Sequence, residues 1–167
     1  MSTVMDPLRD EHSTLLPHIE RLRTTADAVG DAPLDEVQAL VNESFEFLVH
    51  HLIPHARAED KALYPIVQQV MGAPTATATM SRDHIEVDQL TRDLGGLRDH
   101  LAASPAVPSE LARELRRVLY GLYALVKVHF AKEEEIYLPL LDARLTAPEA
   151  ARLFSQMEAA AGVGHEH

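Results

Sequence analysis

The sequence predicts an all-α protein, an up-down-up-down four-helix bundle with a short fifth helix at its C-terminal end. The 167 residues include only 7 glycines, and the glycines and prolines gather at a few places. Between those places lie four long segments rich in Leu, Ala, Glu and Arg, which are strong helix formers. Short connections between long helices favour antiparallel neighbours, as in a four-helix bundle. We expect a single domain over residues 1–167, with the bundle at about 6–144.

Start and stop signals set the helix boundaries. Asp6-Pro7 has the pattern of an N-cap followed by a proline in the first turn, and Gly30 follows the end of the first helix. The four long helices are predicted at about 7–29, 34–71, 79–103 and 109–144. Thr146-Ala-Pro-Glu149 has the spacing of a capping box, which predicts the short fifth helix at about 147–160.

Two prolines lie inside the predicted long helices. Pro17 and Pro54 each lack a backbone N–H and clash with the preceding turn, so we expect a bend in the first helix and a kink in the second. Larger bends at these positions would produce a less regular helical array, which is the alternative fold.

The composition excludes several classes of function. There is no cysteine, so thiolate metal sites and a cysteine nucleophile are excluded. With 26 acidic against 15 basic residues, the net charge is -11, and we expect no nucleic-acid partner and no membrane partner. No apolar run approaches the roughly 20 residues that span a bilayer, and residues 1–11 do not resemble a signal peptide. We therefore expect a soluble cytoplasmic protein.

Polar residues interrupt the apolar stripe of each long helix. The stripes have the spacing of three and four residues that marks a buried helix face, and they run through His12, His55, His84 and His129. Glu59 and Glu133 follow the second and fourth of these histidines by four residues, on the same face. The apolar members are Leu8, Leu15, Ile19 and Leu22; Val41, Leu48, Leu52, Ile66 and Val70; Met80 and Leu94, in line with Thr91; and Leu122, Leu125, Ile136 and Leu140.

A weak internal repeat connects these positions. An offset of 74 aligns residues 55–65 with residues 129–139, matching histidine, glutamate and proline, and also Asp60 with Glu134. An offset of 72 aligns Asp10-Glu11-His12 with Arg82-Asp83-His84. The repeat predicts two helical hairpins related by a pseudo-twofold axis, with the four histidines near one level of the bundle.

Burying these side chains together requires compensation. Ionised carboxylates in an apolar interior are costly, and two close together take up a proton or need a cation. We therefore predict a metal site formed by His12, His55, Glu59, His84, His129 and Glu133. Imidazole and carboxylate ligands suit iron, manganese or zinc, and iron is preferred. The alternative is a metal-free bundle whose histidines and glutamates pair with each other and loosen on acidification.

The same segments resemble the hemerythrin-like family, the HHE cation-binding domain. The resemblance covers about residues 6–144 and rests on Asp10-Glu11-His12, His55-Ala-Arg-Ala-Glu59-Asp60 with Leu63-Tyr64-Pro65, Asp83-His84, and His129-Phe-Ala-Lys-Glu133-Glu134 with Leu138-Pro139. It implies a four-helix bundle holding two non-haem iron ions with an oxo or hydroxo bridge. By resemblance His12 and His55 serve one iron, His84 and His129 serve the other, and Glu59 and Glu133 bridge them.

Some nearby residues are ambiguous. Glu133 is preferred to Glu134 because Glu134 points roughly 140° away from His129 on a helix. His51 and Asp88 are possible further ligands, and so is a tyrosine, although Tyr64, Tyr123 and Tyr137 are expected to pack mainly at the bundle rim. These three tyrosines flank the ligand turns.

Asp88 marks a departure from the oxygen-carrying members of the family. It stands where those members have a second histidine one turn after the first on the third helix, which argues against reversible oxygen carriage. The expected function is a di-iron protein that binds or senses oxygen, peroxide or nitric oxide, or handles iron. The alternative is a di-iron oxidoreductase with catalase-like, peroxide-consuming activity.

Overall fold

The computed structural model describes residues 2–162, which form five helices and no strand. Helix α1 spans Asp6–Ala28, α2 spans residues 34–71, α3 spans Ala78–Ala102, α4 spans residues 109–144 and α5 spans Ala147–Gly162. The predicted all-α class and all five predicted helices are therefore confirmed, with boundaries that differ by at most two residues. None of these helices, within residues 2–162, is long and apolar enough to cross a membrane.

Helices α2 and α4 are widened by π-helical turns. In α2 these turns are Leu48–Leu52 and Glu59–Leu63, and in α4 the turn is Glu133–Tyr137. Each turn ends two residues before a proline, namely Pro54, Pro65 and Pro139. A proline cannot donate to the carbonyl four residues back and its ring collides with that carbonyl. The residue before each proline instead donates to the carbonyl five residues back, so the wide turn accommodates the ring.

The two prolines predicted to disturb helices behave differently. The kink expected at Pro54 takes the form of a π turn in α2, whereas α1 continues through Pro17 as an α-helix. The long helices continue past every internal proline in residues 6–144, so none of these prolines ends a helix.

The π turns also shift the buried face of the helix that follows them. Because one extra residue rotates the next segment by about 100°, the buried positions beyond the turn shift by one residue along the sequence. Tyr137 is buried where the sequence predicted Ile136, which is 57% exposed. Val67 is likewise buried where Ile66 was predicted. The predicted stripe is wrong at Ile136, and its other outlying members, Ile66, Val70, Leu125 and Leu140, are only partly buried.

Local signals at the helix ends mostly act as expected. Gly30 and Gly72 have φ values of 96° and 64°, the left-handed conformation that glycine adopts without a steric penalty. The Glu149 carboxylate accepts the backbone N–H of Thr146 at 2.8 Å, as in a capping box. Asp6 differs from the prediction: it is the first residue of α1 rather than its cap.

The four long helices enclose a shared interior. Helix α1 packs against α2 and α4, α3 also packs against α2 and α4, and α5 packs on residues 53–63 of α2. The buried apolar residues form two clusters, one containing Leu15, Leu22 and Leu122 and the other containing Leu8 and Leu138. On every long helix the predicted metal residues lie between these clusters, so the polar centre has an apolar core on both sides.

Candidate metal centre

The structure brings all six predicted residues together in the interior. Five of them are buried, and the side chain of His84 is 9% exposed. Their ligand atoms form two groups, within each of which all atoms lie within 4.8 Å of one another. The first group contains His12, His55, Glu59 and Glu133, and the second contains Glu59, His84 and His129. Glu59 belongs to both, so the two groups form one continuous centre.

The two glutamates face both pairs of histidines. Glu59 Oε1 lies 2.8 Å from His55 Nε2, and Glu59 Oε2 lies 3.2 Å from His84 Nε2. Glu133 Oε2 lies 3.4 Å from His12 Nε2, and Glu133 Oε1 lies 3.4 Å from His129 Nε2. Each carboxylate therefore directs one oxygen toward each pair, which is the geometry required of a bridge between two cations.

Local backbone structure places these carboxylates. Glu59 and Glu133 are the first residues of the π turns that precede Pro65 and Pro139. Between each of these glutamates and the histidine four residues before it the helix is regular, so both side chains lie on the same face. Beyond each glutamate the wider turn begins, a feature that is frequent at functional sites.

The outer nitrogen of each central histidine is held by a carboxylate from a neighbouring helix. The Nδ1–oxygen distances are 2.6 Å for His12–Glu134, 2.8 Å for His55–Glu11, 2.8 Å for His84–Asp60 and 3.0 Å for His129–Asp83. Together the four contacts form a closed ring, since each long helix supplies an acid that holds the histidine of the next helix, and α4 holds that of α1. Such partners fix the orientation of an imidazole and raise its basicity as a ligand.

These contacts determine the protonation of the imidazoles. A carboxylate can only accept, so Nδ1–H is the donor in each pair, and a neutral ring then directs the lone pair of Nε2 inward. His84 Nε2 and His129 Nε2 are only 3.0 Å apart. At this distance the two inward lone pairs repel each other. A proton or a metal ion between the rings and the carboxylates would remove this repulsion.

Several buried atoms at the centre have no hydrogen-bond partner within the described part of the chain. They are Nε2 of His12 and His55, both carboxylate oxygens of Glu59, and Oε2 of Glu133. The close approach of His55 to Glu59 does not have hydrogen-bond geometry. Buried polar atoms are almost always paired, and imidazole and carboxylate are the ligand types that iron, manganese and zinc accept. The residues therefore fit a metal centre.

The electrostatics lead to the same conclusion. Burial alone would lower the pKa of His129, but the adjacent carboxylates of Glu133 and Glu59 raise it to about 10. Burial likewise opposes the charge on His55, yet Glu59 and Glu11 hold its pKa well above 6.5. For Glu59 burial would raise the pKa, and the neighbouring His55 and His12 hold it well below 4.5. The interior is thus strongly anionic and attracts either protons or metal cations.

Tyr64 is an unexpected member of the centre. It is buried, with 1% exposure, and its hydroxyl donates to Glu133 Oε1 at 2.8 Å. The Tyr64 hydroxyl oxygen also lies 3.1 Å from His129 Nε2 and 3.3 Å from His84 Nε2. Burial and the charges of Glu59 and Glu133 raise the pKa of the phenol far above 10. The expectation that this tyrosine packs at the rim is wrong, because the π turn at residues 59–63 rotates it inward.

The other candidate ligands lie elsewhere. Asp88 pairs with Arg92 at 3.0 Å, and His51 is exposed and stacks on Phe47 at a centroid distance of 6.2 Å. The Tyr137 hydroxyl donates to the Ala76 carbonyl at 3.1 Å. Tyr123, only partly buried, lies beneath the side chains of Arg23 and Lys127.

Sequence reasoning missed the ring of outer carboxylates. Glu134 was considered as a rival to Glu133 and as the match of Asp60, and Glu11, Asp60 and Asp83 were used only as matches between segments. The available signal was the repeat itself, which pairs Glu11 with Asp83 and Asp60 with Glu134. Each of these acids lies directly beside a site residue in both copies of the repeat, which indicates that the acids do more than make the surface soluble.

The comparisons with known proteins give one match. The family described as the hemerythrin HHE cation-binding domain matches residues 3–141. Neither the curated proteins nor the solved structures give a match. The matched segment includes all four long helices except the last three residues of α4, and every residue of the centre. The chain therefore belongs to the hemerythrin HHE cation-binding domain family.

Proposed function

We propose that this protein holds two iron ions, joined by an oxo or hydroxo bridge, and uses them to bind or sense oxygen, peroxide or nitric oxide, or to handle iron. The observation that carries the proposal is the convergence of four imidazole Nε2 atoms on two buried carboxylates that lack hydrogen-bond partners among the described residues. Two cations would compensate these groups together, whereas separate protons leave several lone pairs unmatched.

The contacts support a division of the ligands into two half-sites. The first half-site is His12 and His55, and the second half-site is His84 and His129, with Glu59 and Glu133 shared between them. The 2.8 Å and 3.2 Å approaches of the two Glu59 oxygens to His55 and His84 support this bridging role. The donor set, with no thiolate, favours six-coordinate iron or manganese over tetrahedral zinc.

Tyr64 distinguishes the half-sites. Its oxygen is within 3.3 Å of both Nε2 atoms of the second half-site, and we assign it as a further ligand there. The offset of 74 places Leu138 at the matching position of the other hairpin. We therefore assign the position open to a small ligand to the first half-site. Iron would supply such an open position together with a change of oxidation state.

The protein's own residues prepare the centre for this role. The outer carboxylates hold each imidazole by Nδ1, which keeps Nε2 directed inward without a rearrangement on metal binding. The two apolar clusters on either side exclude water and leave a low-dielectric interior. Small apolar gases enter such an interior more readily than ions do.

We also propose that the four long helices alternate in direction and form one domain. Arg9, near the start of α1, pairs with Asp142, near the end of α4, at 2.7 Å. Gln38, near the start of α2, donates to the carbonyl of Leu101, near the end of α3, at 3.1 Å. Both contacts support antiparallel neighbours, as in an up-down-up-down bundle.

Tyr64 also bears on the peroxide-consuming alternative. This alternative requires that Tyr64 is not a metal ligand, since only a protonated phenol could donate a proton during peroxide breakdown. If this activity is physiological, added peroxide should give steady oxygen release that Tyr64→Phe lowers while iron content is unchanged. An oxygen electrode measures both proteins directly.

Elemental analysis tests the proposed function. After anaerobic reconstitution with iron and gel filtration, we expect about two iron ions per chain, as two ligand groups require, and near-ultraviolet absorption in the oxidised protein. His55→Ala should lose iron, while His51→Ala, which changes an exposed histidine one turn away, should keep it. Wild-type protein without iron, or equal iron in both variants, would contradict the proposal.

A further inference from the structure

The two hairpins differ at one position beside the centre. The offset of 74 pairs Ala56 of α2 with Phe130 of α4, each directly after a central histidine. The Phe130 ring stacks on His12 with centroids 4.3 Å apart and an angle of 17°. The equivalent residue beside His84 is Ala56, whose side chain is only a methyl group, so the two hairpins cover the centre unequally.

The space left at Ala56 reaches the surface. A pocket of about 260 Å³ opens between α2 and α3, and its walls include Ala56, His84 and Val87. Deeper inside lies a small cavity of about 10 Å³ whose walls include the same three side chains. These three side chains therefore form the boundary between the outer pocket and the inner cavity.

The inner cavity lies against the proposed metal ligands. Its walls include His55, Glu59 and His129 in addition to His84, so it touches side chains of both half-sites. The remaining walls are apolar and include Leu52, Val126 and Phe130. A cavity of this size holds about one water-sized or diatomic molecule, and apolar walls beside an anionic carboxylate disfavour an anion.

We propose that the gap at Ala56 is the entrance through which a small uncharged molecule such as nitric oxide or dioxygen reaches the inner cavity and the centre. The inference rests on the proposed function and extends it by naming the route. The route passes between Ala56, Val87 and His84, and His84 is the most exposed of the six central residues.

Nitric oxide is the probe that tests the route. Its association with anaerobic, reduced, iron-loaded protein is followed by stopped-flow absorption, with iron content measured on the same samples. Ala56→Phe copies Phe130 into the gap and should slow association at least about tenfold, because entry then needs a larger conformational change. Ala56→Val should slow it less. Ala39→Phe, the same change at an exposed position of α2, should leave the rate unchanged.

The possible results distinguish a failure of the proposed route from a failure of the proposed function. Iron-loaded Ala56→Val and Ala56→Phe that bind nitric oxide at the wild-type rate would overturn the route and leave the di-iron proposal intact. If Ala56→Phe does not hold iron, Ala56→Val and Val87→Phe decide, since Val87 forms the opposite wall. Wild-type protein that takes up no iron would instead contradict the proposed function.

Discussion

The two half-sites share their ligand pattern and differ in what surrounds it. Each has two histidines held at Nδ1 by acids from neighbouring helices. The first half-site is covered by Phe130 stacked on His12, whereas the second has the Tyr64 hydroxyl on one side and the gap at Ala56 on another. Repeated residues thus define two similar groups of candidate ligand atoms, and unrepeated neighbours make the surroundings of those groups chemically different.

Removing a shared carboxylate should have the largest effect, because it affects both half-sites. We expect Glu59→Ala to lose nearly all bound iron, and His12→Ala to keep about half, since metal binding needs the complete ligand set. Loss of about 4 kcal/mol of ligand-linked stability should lower the melting temperature by about 10 °C for a chain of this size. Elemental analysis and calorimetry measure these changes. Equal iron loss in both variants would show that the half-sites are not separate.

Metal removal should make the free energy of unfolding fall as the pH rises above 6.5. The His129 pKa is raised from 6.5 to about 10, so its contribution in metal-free protein is full below pH 6.5 and is lost as the pH rises toward 10. Glu59, whose pKa is lowered from 4.5, contributes above pH 4.5 and loses its contribution on acidification. Metal binding requires neutral imidazoles and becomes tighter as the pH rises.

Denaturant unfolding of both forms between pH 6.5 and 9 measures this contrast. The metal-free protein should lose stability over that range, and the iron-loaded protein should keep it. If the free energies of unfolding of the two forms changed with pH in the same way, protons would not replace the metal at these histidines.

The outer carboxylates should tune one half-site each. Asp83→Asn replaces the anionic acceptor of the His129 Nδ1–H by a neutral amide and should weaken metal binding at the second half-site by about 10- to 100-fold. Glu11→Gln should do the same at the first half-site through His55. Glu135→Gln, an exposed neighbour of the ring, is the matched control. Competition with a chelator measures the affinities, and an effect of Glu135→Gln as large as that of Asp83→Asn would contradict a specific role for the ring.

Tyr64→Phe should change the spectrum more than the metal content. If the phenol is a ligand of the second half-site, oxidised wild-type protein has a visible phenolate-to-iron absorption band that the variant lacks, while iron content stays near two per chain. Tyr137→Phe, whose hydroxyl donates to the Ala76 carbonyl, should keep the band. If Tyr64→Phe kept the band, Tyr64 would not be the ligand that distinguishes the second half-site from the first.

The smallest effect is expected at Ile136, which the π turn places outside. The matching residue of the first hairpin, Ala62, is buried in the stretch of α2 that α5 covers. Ile136→Ser should change the free energy of unfolding by less than about 0.5 kcal/mol, as is usual for an exposed residue. Urea unfolding measures it. A loss of more than about 2 kcal/mol, typical of a buried isoleucine, would place Ile136 in the core.

Helical periodicity predicted most of the fold and the positions of the central residues. His12 completes the stripe of α1 and is buried there, and the angular argument placed Glu133 rather than Glu134 toward the interior. These inferences succeeded because regular helix geometry holds up to the start of each π turn. The prediction for Ile136 and that for Tyr64 failed because both residues lie beyond such a turn.

Other features could not follow from periodicity in one helix. The carboxylate that holds His55 comes from α1, and the one that holds His84 comes from α2, so the ring depends on how the helices pack together. The internal repeat contained part of this information, since it aligned the acids and also paired Ala56 with Phe130. Proline two residues after each widened turn was a further signal that periodicity alone does not use.

Anomalous diffraction at the iron absorption edge from iron-loaded crystals shows whether the interior holds a pair of iron ions. We expect two peaks per chain, one contacting His12 and His55 and the other contacting His84 and His129, with Glu59 and Glu133 between them. A single peak, a peak bound only by surface residues, or none at the centre in protein shown to contain iron would contradict this expectation.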